Sequence, residues 1–565
     1  MMGPHRIAAA ARICLALLCV ILWGAGSVAA QEPAARRIEQ ADREPQNWLT
    51  FYGNYRAWSY SPLEQITREN VKQLVPAWAF PTGGQNGLQA APLVVDGVLY
   101  LENHQNHVFA MEAATGRPLW TYSYEAAESK SQPIPGARGL AIGYGLVYMG
   151  THDNHLVALD AKTGKEIWNV QVPDPVPCCG ITGAPLLVKD KVITGVTGGE
   201  VEHRGYLTAF DAKTGKMVWR FNTTPSPGEP GSETWSGDSW KTGGASTWFT
   251  GSYDPELNLI YWGVGNPSSD FVGDRREGTN LYTDSLIALD ADTGKLKWYF
   301  QEVPHDLWDF DSNAEPVLVD LNQNGRMRKL VIHSTKGGYA YVLDRETGKL
   351  VKAFPYVQNL NWSGGLDKDG KPRKPVMPVK GSNFLFCPGT IGGRNFNHSA
   401  YSPRTGLWYS NDFEICARLE PETVDAKEGE RNFGGTFAME LSPNSKPNIG
   451  AFDPLTGERK WTFATNYPNA SSLLATAGDL IFAGDLGGNA FALDAKSGEK
   501  LWSFNTGGKI ASPPVSFSVN GRQYVAISTG GGSIVERSLL TLYPEAKGHV
   551  PADASTLFVF ALPVK

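Results

Sequence analysis

The chain is 565 residues long and carries a net charge of −6 at neutral pH. That length fits two or three ordinary domains, or one large repeat architecture in which each unit adds to a shared core. The mild acidity leaves no basic footprint for nucleic acid, and no run of like charge is long enough to act as an interaction tail. Aromatic residues make up 11 % of the chain, with 17 Trp, 62 Gly and 37 Pro. That mixture suits many short strands joined by turns.

Residues 1–30 read as an export signal. Arg6 and Arg12 surround the start, Ile13 to Trp23 is a short apolar run, and Val28-Ala29-Ala30 before Gln31 forms a small-residue cleavage site. The run is too short to span a bilayer, and an uncleaved anchor is the alternative. Cys19 is followed by further apolar residues, which does not suit a lipid attachment point. No other long apolar stretch follows, so residues 31–565 are expected to be soluble, with no membrane span. Cys14 and Cys19 leave with the signal, and Cys178, Cys179, Cys387 and Cys416 remain. An even number in an oxidising compartment suggests the obvious pairing of Cys178 with Cys179 and Cys387 with Cys416. No Cys-x-x-Cys-His occurs, so there is no site for covalent haem.

One phrase then recurs along the chain: Ala-x-Asp-x-x-Thr-Gly-x-x-x-Trp. Clear copies start at Ala110, Ala158, Ala209, Ala288, Ala451 and Ala492, and weaker ones at Val342 (VLDRETGKLV) and Tyr401 (YSPRTGLWY). Each reads as strand, tight turn, strand, with Gly free to take positive φ and Trp starting the second strand. Most copies lie 41 to 59 residues apart, enough for one four-stranded blade, and the longer gap from Ala209 to Ala288 must hold an insertion. A blade cannot bury both faces alone, whereas radial stacking buries them with Trp flat between neighbours. Eight copies predict an all-β, eight-bladed β-propeller with tryptophan-docking repeats, a single domain over 31–565. The last strand, Thr556 to Leu562, is expected to complete one blade with the start of the mature chain.

Five further phrases stand outside or beside the repeat: NYRAWSYSPLEQI, WKTGGASTW, YWGVGNP, PHDLWDFD and GRQYVAISTGGG. With the repeat, they make the chain resemble the PQQ-dependent alcohol dehydrogenases, the quinoproteins that include methanol and ethanol dehydrogenases. The similarity runs from about Trp48 to the C-terminus. It implies pyrroloquinoline quinone (PQQ) on the propeller axis, a flat ring with three carboxylates between a Trp plane and a disulfide of adjacent cysteines. Trp248 matches the stacking Trp. Cys178-Cys179 matches the pair by type but not by position: the family's pair precedes an Arg-Gly-Leu-Ala phrase, which here is Arg138 to Ala141, preceded by Gly136-Ala137. The two loops are therefore expected to meet over the cofactor, with the disulfide still covering its face.

The resemblance also implies a polar ring. Arg138 would pair with a cofactor carboxylate through its planar fork. Gln89 stands where some members have Glu. Thr182, Thr197, Gly198, Gly199 and Ser246 would supply hydroxyl and backbone donors, and Lys336 and Asn395 would contact the quinone side. Glu200 and Asn266 match the two protein ligands of the metal, both hard oxygen donors. Asp309 matches the catalytic carboxylate beside it. Asp311, two residues on, would point the same way on an extended segment. In the family that second Asp goes with lanthanide(III) use, since a trivalent ion gains more from an added negative ligand; Ca2+ stays open.

The implied chemistry is periplasmic oxidation of a small primary alcohol to an aldehyde. The metal polarises the C5 carbonyl, Asp309 takes the hydroxyl proton as general base, and hydride passes to C5. With no haem in the chain, electrons would leave to a separate soluble periplasmic cytochrome c. A homodimer is left open, as are a polyol or sugar substrate and, from another class, a non-catalytic propeller scaffold. Residues 530–555 separate two strands of the last blade by an uncommonly long connection, which we expect to form a lid over the substrate mouth.

Overall fold

A computed structural model describes residues 34–564, apart from 84–86, 127–135, 175, 177, 313, 444–445, 550 and 552–553. The export-signal reading lies outside the described residues. Among the described residues, regular structure is almost wholly β-sheet: eight sheets carry four strands or more, and a ninth carries three. Five successive sheets occupy 93–123, 141–171, 186–222, 252–301 and 317–355, and in each the strands lie in chain order. The sheet over 400–464 is interrupted, because the three-stranded sheet (Phe384–Phe386, Ile415–Pro421, Gly435–Leu441) takes two of its strands from within that span. The sheet over 474–505 gains Tyr60–Ser61 as a parallel edge strand. The last sheet pairs Val75–Pro81 with Thr556–Ala561, from Val75 opposite Ala561 to Pro81 opposite Thr556, with a bulge between Pro76 and Trp78. The expected joining of the two ends of the chain in one sheet is therefore present.

Burial falls from the inner strands outward. In the sheet over 186–222, Leu186–Val188 and Lys191–Gly195 are buried throughout, whereas the fourth strand, Met217–Asn222, is mostly exposed or half-buried. The recurrent phrase forms the hairpin between third and fourth strands. Its Asp folds the turn by accepting from the residues that follow: Asp160 accepts from the backbone N–H of Thr163 at 2.8 Å and from its hydroxyl at 2.7 Å.

The phrase's Gly and Trp are two halves of one joint between sheets. Trp120 lies against Gly164 of the next sheet, where an added Cβ would sit 2.5 Å from the indole. The same Gly has φ +72°, so both space and backbone require glycine. The indole N–H then donates to the Ala161 carbonyl at 3.0 Å. Trp78 meets Gly116 in this way, Trp168 meets Gly215, Trp219 meets Gly294, Trp298 meets Gly348, and Trp461 meets Gly498. Trp502 donates to the Leu74 carbonyl at 3.2 Å, beside the strand that carries Trp78. In the weak copy at Val342, Phe354 takes the indole's place against Gly457. It stands two residues beyond the Trp position of the phrase, on the same face of its strand.

The copy at Tyr401 is a correction. YSPRTGLWY forms the hairpin between the first two strands of its sheet, Ala400–Ser402 and Leu407–Asp412, and the same sheet holds the Ala451 copy in its outer hairpin. Nothing lies within 4 Å of a Cβ built on Gly406, so that glycine serves its turn alone. The closing sheet carries no copy, because its outer hairpin is replaced by strands from the two ends of the chain.

Candidate active site

In an antiparallel meander, the connection into the first strand and the loop between the second and third emerge at the same end of the sheet. The Asp-Thr-Gly turns emerge at the other end. The predicted site residues all fall at the first of these ends. Arg138, Thr182, Trp248, Asp309 and Asn395 precede first strands, while Thr197 to Glu200, Asn266 and Lys336 lie between second and third strands. The insertion between Ala209 and Ala288 supplies Ser246, Trp248 and Asn266.

These loops surround one cavity of about 190 Å³. Of the predicted residues, Arg138, Thr182, Thr197, Gly198 and Gly199 line it. So do Glu200, Trp248, Asp309, Asp311, Lys336 and Asn395. Gln89, Ser246, Asn266, Cys178 and Cys179 stand one layer behind.

At one end the Arg138 guanidinium carbon lies 4.8 Å from the Trp248 ring centre and 5.5 Å from that of Phe396. Its Nε and Nη1 are buried and reach no hydrogen-bond acceptor among the described residues. Burial disfavours its charge, and the nearby Glu536 carboxylate opposes that effect. Orphaned donors over an indole face suit a flat, anionic ring.

At the other end Lys336 Nζ lies 2.7 Å from both Asp309 Oδ1 and Asp311 Oδ2. Asp311 Oδ1 accepts the Asn266 backbone N–H at 2.9 Å, and Asn266 Nδ2 donates to Asp270 Oδ1 at 2.9 Å. Burial first, then the charges of Asp311 and Glu200, hold Asp309 well above the usual carboxylate range, with Lys336 opposing. Burial and Asp311 raise Glu200 in the same sense. Glu200 Oε2, Asp270 Oδ2 and Ser246 Oγ are buried without a partner among the described residues. Gly199 leaves room for Asn266: a Cβ there would overlap its carboxamide oxygen. So many hard oxygens with so few donors fit a cation of the Ca2+ or lanthanide kind.

Two expectations need correction in detail. Asp309 is not extended but left-handed, with φ +63°. The pair nevertheless reaches one ammonium, because Asp is among the few side chains that tolerate that region. Nor are the carboxylates of Glu200, Asp309 and Asp311 gathered on a single point. Among the described residues, only Cys178, Cys179 and His203 bring three ligand atoms of His, Cys, Asp or Glu within 4.8 Å of one another. Lys336 holds the two aspartates instead.

Both expected disulfides are formed, Cys178 with Cys179 and Cys387 with Cys416. The loop that carries the shifted pair meets the Arg138 loop, since the Arg138 N–H donates to the Thr182 carbonyl at 3.0 Å. Gly198 separates it from the cavity: a Cβ on Gly198 would lie 2.5 Å from Cys179 Sγ.

Other parts of the site were not foreseen. Asp270 lies four residues past Asn266 in a loop with no motif of its own. Ile391, Phe396, Phe433 and Phe437 form an apolar wall, with Arg431 at its edge. The 530–555 connection, by contrast, was expected at the mouth; it contains two helices, Ile534–Leu542 and Pro544–His549, and Ser533, Ile534, Val535 and Ser538 line the cavity. The Ser533-x-x-Glu536 pattern that starts the first helix was legible as a capping signal.

A sheet-built scaffold whose loops present an indole, an arginine and a cluster of acids to one cavity defines a class, the quinone-dependent dehydrogenases. A family model described as glucose/ethanol/alcohol dehydrogenase, β-propeller domain, matches residues 48–357, and the chain belongs to this PQQ family. Residues 445–538, where the Ala451 and Ala492 copies lie, also match a model described as outer membrane protein assembly factor BamB. Among curated relatives, the quinoprotein alcohol dehydrogenase PedH of Pseudomonas putida is 37 % identical over 93 % of this chain and 92 % of its own. The putative dehydrogenase XoxF of Paracoccus denitrificans is 35 % identical over 92 % and 91 %. A solved europium-containing methanol dehydrogenase superposes with a TM-score of 0.87 at 32 % identity, over 93 % of this chain and all of that one.

Proposed function

We propose that this protein oxidises primary alcohols to aldehydes with PQQ and one metal ion, a lanthanide(III) or Ca2+. The eight larger sheets act as the blades of a single propeller domain over 31–565, released in the periplasm when residues 1–30 are removed. The circuit of Trp–Gly joints, which ends beside the strand where it begins, supports the ring. The convergence of Arg138, Trp248, Glu200, Asp309, Asp311 and Lys336 on one cavity from several sheets, with Asn266 bonded to Asp311 behind it, is the observation that carries the chemistry.

Bound there, PQQ and its metal would supply an electrophilic carbonyl that accepts hydride from the alcohol carbon. The protein's part is placement and proton handling. Trp248 would hold one face of the ring, Arg138 a carboxylate, and Thr182, Thr197 and Asn395 the polar edge. Glu200, Asn266 and Asp311 would ligate the ion. Lys336, which holds both aspartates here, would be released to contact the cofactor if they turned to a cation. A neighbouring cation would also favour the ionised form of Asp309, as a general base requires. The Phe433–Phe437 wall and the 530–555 segment exclude water above the reacting atoms. Electrons would then leave to a soluble cytochrome c.

The test is reconstitution with PQQ and either Ca2+ or La3+, using an artificial dye as acceptor and a panel of short, long and aromatic alcohols. Alcohol-dependent dye reduction that needs both PQQ and a metal is expected. No reduction with any metal sinks the reading.

A further inference from the structure

Glu536 sits in the first turn of the helix Ile534–Leu542, 1 % exposed, in the segment that roofs the cavity. It uses both oxygens inward. Oε1 accepts from Gln89 Nε2 at 3.0 Å, and Oε2 accepts the Gly532 N–H at 2.5 Å. Gln89, also 1 % exposed, keeps its own Oε1 without a partner among the described residues. A Cβ on Gly136 would lie 3.7 Å from both that oxygen and Arg138 Nη2, so the amide and the guanidinium share one corner. Glu536 is the largest electrostatic support of the Arg138 charge. The backbones interlock too: a Cβ on Gly87 would overlap the Gly531 carbonyl. Lys509 is the charge that favours ionised Glu536, and its carbonyl accepts the Gly530 N–H at 2.7 Å.

We infer that Glu536 is a positioning residue that ties the docking of the 530–549 segment to the anion-holding corner of the cavity, by gripping Gln89 beside Arg138. The acid stands on the roof, and the residue behind the wall beside the guanidinium is an amide. An amide there can present its oxygen or be drawn back, and Glu536 decides which by taking the Nε2 hydrogens. With the roof seated, Gln89 is fixed and the Arg138 fork stays aimed at an incoming carboxylate. With the roof lifted, Gln89 turns and Arg138 loses the carboxylate that most favours its charge among the described residues. Ligand binding at that corner and seating of the roof thus favour each other. This rests on the reading of PQQ as the ligand.

The test uses the full-length mature protein without cofactor. PQQ affinity is read from quenching of tryptophan fluorescence, and roof seating from the rate of tryptic cleavage at Arg537, with and without PQQ. In the wild type, PQQ should bind and slow that cleavage about tenfold or more. E536A should weaken PQQ about tenfold and abolish the protection. The exchanged pair Q89E/E536Q, which restores an amide-to-carboxylate bond across the same gap, should regain most of both. S533A removes the cap that accepts the Glu536 N–H and loosens the helix without touching Gln89, so it should speed cleavage while retaining more PQQ affinity than E536A. The inference falls if E536A binds PQQ as the wild type does, if S533A loses as much affinity as E536A, or if the exchanged pair recovers nothing. Failure of the wild type itself to bind PQQ removes the cofactor reading, and this inference with it.

Discussion

Asp309 carries the heaviest chemical demand of any single side chain. Asp309→Asn keeps size and polarity but cannot take a proton, so it should retain PQQ while turnover falls by about 10²-fold or more. Equal turnover in the stopped assay would remove it from the base role. Gly199 is a second point of leverage. A methyl group there overlaps the Asn266 carboxamide oxygen and sits 3.2 Å from Ser246 Oγ. Gly199→Ala should therefore fold but hold much less metal per chain, as measured by elemental mass spectrometry. Glu200, Asn266 and Asp309 were legible because each stands in a local phrase. Asp270 and Glu536 were not, since their importance comes from partners brought together only by folding: Gln89 and Glu536 are 447 residues apart. Asp309 shows the other limit, because a left-handed φ leaves no mark in the residue types around it.

At the scale of elements, the repeat disclosed hairpins well and sheets less well. The Asp-x-x-Thr-Gly turn and its Trp follow from local rules, so every clear copy lands in an outer hairpin. The Tyr401 copy misled because any Thr-Gly turn looks alike when the indole that should cover it is out of view. The three-stranded sheet around Cys387–Cys416 went unseen, for it takes strands from both sides of an inner hairpin and has no period. Gly164→Ala tests the joint directly. The new Cβ meets the Trp120 indole at a φ that disfavours alanine, and should cost about 2–4 kcal/mol in denaturant unfolding. A neutral result would mean that the seam is looser than the geometry implies. Removal of residues 533–549 should open the mouth and change the ranking of alcohols by kcat/KM; an unchanged ranking would leave the segment no part in selectivity.

For the whole molecule, the all-β class and the meeting of the chain's two ends were both readable, because amphipathic strands leave no other way to bury so many faces. Buried ionisable groups set how stability follows pH. Glu102, 1 % exposed and holding Asn106 at 2.9 Å, is pushed up to about 8 by burial. A carboxyl raised in the fold binds its proton more tightly there than in the unfolded chain. Its contribution is therefore full below the ordinary carboxylate range and is lost as pH climbs towards 8. The wild type should melt progressively lower from pH 5 to pH 9, and E102Q should flatten that decline. Parallel melting curves for the two proteins would assign the loss to other groups.

The sheet that joins Val75–Pro81 to Thr556–Ala561 also sets an order of events. An early strand waits, its amides unmet, until the ribosome has made nearly everything else. That sheet can form only once Thr556–Ala561 has been made. Capture of a cofactor would then report that synthesis had run to completion, and truncated products would be left open, sticky and easily degraded.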